Sequence, residues 1–185
     1  MSAALSDATS AATSATAAVY TGSFDPITLG HMHIIRRAAP LFERLIIGVG
    51  INAEKKSLFS PGERVDLIRR VTGPYRGVEI ETFEGLAVDF VRSVDAKVML
   101  RGIRPLTDIA GEFTMMMANQ KLDPGIETLF LMSDDRHAHI SSSLLKQIAA
   151  LSHDDEQLAK FVPVEVIGPL RQRMRAVAST HNPQS

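Results

Sequence analysis

Gly22-Ser23-Phe24-Asp25-Pro26-Ile27-Thr28-Leu29-Gly30-His31 is the stretch that decides how the chain is read. It follows Ala17-Ala18-Val19-Tyr20, a short apolar run with the character of a buried strand. It runs into Ile34-Ile35-x-x-Ala38-Ala39-x-x-Phe42, which has helical spacing. A glycine-bearing loop, a Thr-x-Gly-His tetrapeptide and a helix start therefore sit together at the end of a first β-strand. Open α/β sheets bind their ligands at that place. A helix N-terminus attracts anions through its unpaired N–H groups and its dipole, and a histidine there can donate a hydrogen bond to a phosphate oxygen.

Working outward, strand-like and helix-like segments alternate. Leu45–Gly50 reads as a second buried strand. Ser60-Pro61-Gly62-Glu63 has the form of a capping box with proline at the first helical position, opening a helix to about Val71. Val78–Phe83 alternates apolar and acidic residues and reads as a third strand nearer an edge. Leu86–Ser93 is expected to be a helix, and Lys97–Leu100 a fourth strand followed by Arg101-Gly102-Ile103-Arg104. Glu112–Leu122 reads as a Met-rich helix, Glu127–Met132 as a fifth strand, and Ser141–Leu151, Asp154–Phe161 and Pro169–Val177 as three further helices. Five strands alternating with helices predict a single-domain, doubly wound, five-stranded parallel sheet of Rossmann-like α/β class.

At 185 residues the chain is long enough for one such domain with a proper core. Its net charge of −1 provides no global field toward nucleic acid or membranes. There is no cysteine, which excludes disulfides and thiolate metal sites and fits a cytosolic enzyme. No apolar run approaches the roughly 20 residues of a membrane span. Residues 1–16 are rich in Ala, Ser and Thr and read as a disordered tail; the domain is expected over 17–178, with a frayed end at 179–185.

Three clusters fall on one rim of the predicted sheet: Ser23 to His31, Arg101 to Arg104, and Ile140-Ser141-Ser142-Ser143. Lys55 and Lys56 follow the second strand on the same rim. Cationic side chains, a histidine and a hydroxyl-bearing helix start suit a polyphosphate substrate. The arginines have a bland reading as solvated surface charges, and the serines as helix caps. There is no P-loop, and Gly48-Val49-Gly50 lacks a third glycine at Ala53, so it reads as close backbone packing. His31 and His33 are about 200° apart on a helix and do not form a metal pair. His137 and His139 show no third ligand and read as loop residues beside the ligand. Met115, Met116 and Met117 read as core or subunit contact. Neither a cysteine nor a nucleophile elbow is present, so the chemistry on offer is positioning and charge stabilisation.

Gly22-Ser23-Phe24-Asp25-Pro26 with Thr28-x-Gly30-His31 resembles the signature of nucleotidyltransferases that share a Thr/His-x-Gly-His motif. Lys55-Lys56-x-x-Phe59, Arg101-Gly102-Ile103-Arg104 and Ile140-Ser141-Ser142-Ser143-x-x-Lys146 narrow the resemblance to the bacterial phosphopantetheine adenylyltransferase family, over about residues 17–175. The resemblance implies AMP transfer from ATP to 4′-phosphopantetheine in coenzyme A synthesis, with Mg²⁺ carried on the phosphates rather than held by a protein metal site. It implies that His31 stabilises the transition state and that Ser23 and Lys55 orient the acceptor phosphate. Arg101, Leu86 and Ala87 would contact the pantetheine side. Ser23, Phe24, His31, Gly102, Ile103, Arg104, Glu112, His137, Ala138, His139, Ile140, Ser141, Ser142 and Ser143 would hold ATP. It further implies a cytoplasmic homohexamer that coenzyme A can inhibit.

The chain departs from the commonest family pattern at three places. Ser23 stands where Thr is frequent, Gly111 precedes Glu112 where an aromatic is common, and His137 replaces a frequent aromatic. Two rival readings are a sister enzyme that adenylates nicotinamide mononucleotide or transfers CMP, and a non-catalytic nucleotide sensor. Lys55-Lys56-x-x-Phe59 with Arg101 to Arg104 argues against the first, and His31 kept together with Lys55 against the second.

Overall fold

Alternate residues of the first strand point to opposite faces of the sheet, and both faces are apolar. Ala18 and Tyr20 belong to one buried cluster and Ala17 and Val19 to another. A strand buried on both sides is the mark of a parallel sheet with helices on each face. The computed structural model describes residues 17–52, 54, 56–104 and 109–181, and shows that sheet. The expectations for residues 1–16, for Lys55 and for 182–185 lie outside the described residues.

The strands are β1 (Ala17–Gly22), β2 (Arg44–Ile51), β3 (Val78–Glu84), β4 (Val98–Ile103) and β5 (Glu127–Met132). All four neighbouring pairs are parallel, in the order β3-β2-β1-β4-β5. The half-polar β3 is indeed an edge strand. The helices are α1 (Leu29–Ala38), α2 (Pro61–Thr72), α3 (Ala87–Ser93), α4 (Ile109–Leu122), α5 (Ser142–Leu151), α6 (Asp155–Leu158) and α7 (Val164–His181).

The larger core cluster joins Tyr20, Leu45, Ile47 and Leu100 of the sheet to Ile34 and Ile35 of α1, Ile68 of α2, Leu145 of α5 and Leu170 of α7. Each such side chain contributes about 1.5–3 kcal/mol by leaving water. The opposite face is covered more thinly, by Val88, Phe90 and Val91 of α3 over Val19, Ile46 and Met99. Gly48 belongs to this face. A Cβ there would lie 2.6 Å from the Phe90 ring, so the close packing expected of Gly48 is real and leaves no room for a side chain.

Three expectations need correction and a fourth is narrowed. β4 continues through Arg101, Gly102 and Ile103, which are strand residues and not the loop after it. The helix expected over Asp154–Phe161 is a single turn, because only Asp154 caps it and its apolar content is confined to Leu158. α7 begins at Val164, five residues before Pro169, and carries that proline inside its second turn. For the Met-rich helix, read as core or subunit contact, the core alternative falls: no residue of α4 is buried, and Met115 and Met117 are 55% and 66% exposed.

The chain leaves β1 toward β2 and β3, then returns to β4 on the other side of β1. The order of strands therefore reverses between β1 and β4, and the crevice beyond their C-terminal ends is where such a sheet accepts a ligand. Among the described residues, no helix is long and apolar enough to cross a membrane.

Candidate active site

A cleft of about 290 Å³ opens at that reversal. The end of β1 contributes Tyr20 to Ser23, and the end of β4 contributes Arg101, Gly102 and Arg104. Gly30 and His31 of α1, and Ile140 to Ser143 at the start of α5, close the other side. The three clusters expected to share a rim are thus brought together. Space is tight at Gly102: a Cβ would sit 3.0 Å from Ile34 and 3.3 Å from the Tyr20 hydroxyl, so those side chains would have to give by a few tenths of an ångström.

His31 is held from three sides. Thr28 caps α1, and its Oγ1 accepts the His31 backbone N–H at 3.4 Å. The ring reaches back: its Nδ1 accepts the Thr28 backbone N–H at 3.1 Å and lies 3.0 Å from Thr28 Oγ1. This is a capping box with histidine in the place usually taken by Glu or Gln. Because a backbone N–H can only donate, Nδ1 carries no proton in the neutral ring, and Nε2 must be the N–H donor. Phe24 sets the ring's other face, edge-on at 4.9 Å between centroids, and itself meets Tyr20 at 5.4 Å. Burial, and then the nearby Arg104 guanidinium, push the imidazole down to about 4. At neutral pH the cleft therefore contains a neutral imidazole with a defined tautomer.

Arg101 is oriented rather than solvated. Its Nε and Nη2 donate to the two carboxylate oxygens of Glu112, each at 2.7 Å, and Nη1 donates to Thr21 O at 3.0 Å and Thr21 Oγ1 at 2.9 Å. Arg104 Nη1 reaches the Ile140 carbonyl at 3.4 Å, joining the β4 end to the α5 start. Two of the three serines have structural tasks. Ser141 caps α5 by accepting the Leu144 N–H, and Ser142 donates to the Pro26 carbonyl at 2.9 Å. Ser143 is exposed in the cleft, as is Ser23.

The remaining expected residues divide. Phe24 and Ile103 are buried in the core and do not line the cleft. Leu86 is 51% exposed ahead of α3, and Ala87 is half-buried there; neither lines the cleft. His139 is turned toward Phe161, 6.0 Å between ring centroids. Ala138 is half-buried in the same loop and does not line the cleft. The His137 side chain also faces elsewhere: its Nδ1 is 2.7 Å from Asp134, and its ring stacks on His33 at 5.0 Å.

Asp25 lies inside the motif, yet no role for it was inferred from sequence. Its buried carboxylate accepts the backbone N–H groups of Leu58 and Phe59, both at 2.8 Å, and the Lys146 ammonium at 2.8 Å. One side chain thereby ties the motif loop, the segment after β2 and the α5 helix together. Arg64 of α2, 2% exposed, adds to this by donating to the Ser23 and Gly50 carbonyls at 2.9 and 3.0 Å.

Residues 19–148 match the cytidylyltransferase-like family. The chain is 65% identical over 159 residues to the phosphopantetheine adenylyltransferase of Rhodopirellula baltica, spanning 86% of this chain and 89% of that protein. The chain belongs to the phosphopantetheine adenylyltransferase family. A family member from Clostridium botulinum strain Alaska E43 is 46% identical over 158 residues, 85% of this chain and 98% of that one. Among solved structures, the nicotinic acid mononucleotide adenylyltransferase of Plasmodium falciparum superposes with a TM-score of 0.63 over 90% of this chain and 96% of its own. At 11% identity that likeness shows a shared nucleotidyltransferase fold and nothing about the acceptor.

Proposed function

We propose that this member of the phosphopantetheine adenylyltransferase family joins the phosphate of 4′-phosphopantetheine to the α-phosphorus of ATP, giving dephospho-coenzyme A and pyrophosphate. The observation that carries the reading is the fixed neutral tautomer of His31 in a cationic cleft at the sheet reversal. An acceptor phosphate oxygen forms the new bond to the α-phosphorus in line with the departing oxygen. The bond from that phosphorus to pyrophosphate breaks. A phosphate monoester has its second pKa near 6, so at neutral pH the nucleophile is already ionised and needs no general base. The cleft matches that need. Glu112 is engaged by Arg101 and is the one carboxylate among the described lining residues. What remains to supply is position and donors for the extra negative charge on the α-phosphoryl oxygens.

His31 Nε2–H supplies one such donor, and Arg104 a neighbouring positive charge. Gly102 admits the nucleotide close to the β4 backbone, and Ser143 with the α5 N-terminus receives the phosphate tail. Ile140, the one of residues 137–140 that lines the cleft, lies beside the adenine. Arg101 and Ser23 face the acceptor phosphate, with Leu86 and Ala87 along the pantetheine arm; Lys55, which lies outside the described residues, is assigned to the same phosphate by the family resemblance. The lining offers hydroxyls and cations rather than spare carboxylates, which suits Mg²⁺ carried in on the ATP phosphates; when bound, it neutralises their charge. Coenzyme A, sharing the pantetheine arm and the adenylate, would compete for the same cleft. The exposed apolar residues Phe113, Met115, Met117 and Leu122 on α4 with Leu129 on β5 favour a subunit contact, since patches of this kind mark interaction surfaces; the homohexamer and the cytoplasmic setting are carried by the family resemblance alone.

Pyrophosphate release from MgATP, measured with 4′-phosphopantetheine, nicotinate mononucleotide and glycerol 3-phosphate as separate acceptors, tests the assignment. Release is expected with the first alone. Release with either of the others instead, or ATP binding with no release from any, would overturn it.

A further inference from the structure

Beside the cleft, on the far side of α1 from His31, three side chains converge that the adenylyl-transfer reading does not use. His33 is one turn-face away from His31, and its side chain is 8% exposed. Its Nδ1 is enclosed and makes no hydrogen bond. The atom it faces is Asp134 Oδ2, 4.0 Å away and too far to bond. The other oxygen of Asp134 meets His137 Nδ1 at 2.7 Å, and the two imidazoles stack at 24° between ring planes. One ligand-capable atom from each of the three lies within 4.8 Å of the others.

We propose that His33 Nδ1, Asp134 and His137 form a binding site for a first-row transition cation of the Zn²⁺ class. Nitrogen and oxygen ligands bind such a cation at about 2.0–2.2 Å, so in tetrahedral geometry the ligand atoms lie roughly 3.4 Å apart. The spread of up to 4.8 Å needs a contraction of up to roughly 1.4 Å, which falls to the half-exposed loop bearing Asp134 and His137. Two imidazoles and one carboxylate form a borderline donor set that selects Zn²⁺, Co²⁺ or Ni²⁺ over Mg²⁺, whose preference is for oxygen alone. The protonation states agree. Burial holds the His33 imidazole below its usual range, and the His137 contact holds the Asp134 carboxyl low. Neutral imidazole and carboxylate are the ligating forms. Three protein ligands leave a coordination position open to water.

Three arginines oppose the cation. Arg37 places Nη1 3.4 Å from His33 Nε2 and donates to the Met132 carbonyl at 2.5 Å. Metal on Nδ1 requires the ring proton on Nε2, so the guanidinium must give way there. Arg36 is nearby with the same sign, and Arg136 pairs with Asp134 at 3.2 Å. The site bridges α1 to the loop between β5 and α5, two residues beyond His31. An occupied site would therefore fasten the loop against the helix that carries the proposed donor.

The test titrates the full-length, tag-free, chelator-treated protein with Co²⁺ while recording visible absorption, then displaces it with Zn²⁺ in competition with a chromophoric indicator. Wild type is expected to take up one equivalent per chain, with a ligand-field band that Mg²⁺ neither produces nor abolishes. His33→Gln, His137→Gln and Asp134→Asn should each weaken binding at least about tenfold, since even partners behind the ligands are worth 10–100-fold. Arg37→Gln, at an exposed position, should tighten it. Absence of stoichiometric binding by wild type overturns the proposal whatever the variants do. So does unchanged affinity in the ligand variants, or weaker affinity in Arg37→Gln.

Discussion

At the scale of a residue, the chemistry turns on which nitrogen of His31 bears the proton. The capping box decides it, because a backbone N–H occupies Nδ1. Burial and Arg104 then keep the ring neutral down to about 4. We expect ring-proton NMR of the ligand-free enzyme to show His31 untitrated between pH 8 and pH 5; a midpoint near 6.5 would contradict the assignment. The same shift makes the fold acid-sensitive. An unfolded histidine takes up its proton near pH 6.5, whereas the folded ring does so near 4. Between those values the unfolded state binds more protons, so stability is complete above pH 6.5 and falls as pH drops toward 4. The lowered His33 adds to the loss in the same direction. The sequence named His31 because the motif spacing puts it at a helix start after a strand. It did not reveal the reciprocal bond to Thr28, since histidine is an uncommon third residue in a capping box.

At the scale of elements, the cleft depends on three separately folded pieces keeping register. Asp25 is their common point: 33 and 34 residues separate it from Leu58 and Phe59, and 121 from Lys146. Asp25→Asn turns one of the two accepting oxygens into an NH2 donor that faces a backbone N–H, and removes the charged partner of a half-buried ammonium. We predict a loss of about 3 kcal/mol in urea unfolding, against a smaller loss for Lys146→Ala, which leaves the carboxylate its two backbone donors. A change below about 0.5 kcal/mol for Asp25→Asn would show that the clasp is incidental. These links were not legible in the sequence, because periodicity reports which face a residue takes within its own element and not what crosses to another. The same limit explains His33. Helical spacing correctly separated it from His31, yet nothing local pointed to Asp134 or His137, about a hundred residues later. α6 is shorter than the expected helix for a related reason: Leu158 alone is buried within the turn, so no apolar helical stripe extends it.

At the scale of the whole molecule, strand alternation, the parallel sheet and the gathering of three motifs on one rim all followed from sequence. Each rests on a period of 2 or 3.6 and on the rule that ligands bind where strand order reverses. The sequence left the Met run of α4 open between core and subunit contact, because a helix with no distinct apolar face looks the same in both. Replacing Met117 by Lys should lower the particle mass seen by light scattering without lowering secondary structure; an unchanged mass would remove α4 from the assembly surface. The account as a whole holds that the cleft between β1 and β4 is the place of adenylyl transfer and that His31 is its principal neutral donor. Turnover of His31→Ala with MgATP and 4′-phosphopantetheine, alongside its ATP affinity and unfolding midpoint, tests this most directly. Removing one such donor costs about 3–4 kcal/mol of transition-state stabilisation. We predict turnover lowered at least a hundred- to a thousandfold, as that cost implies, with a folded protein that still binds ATP; near-normal turnover would contradict the account.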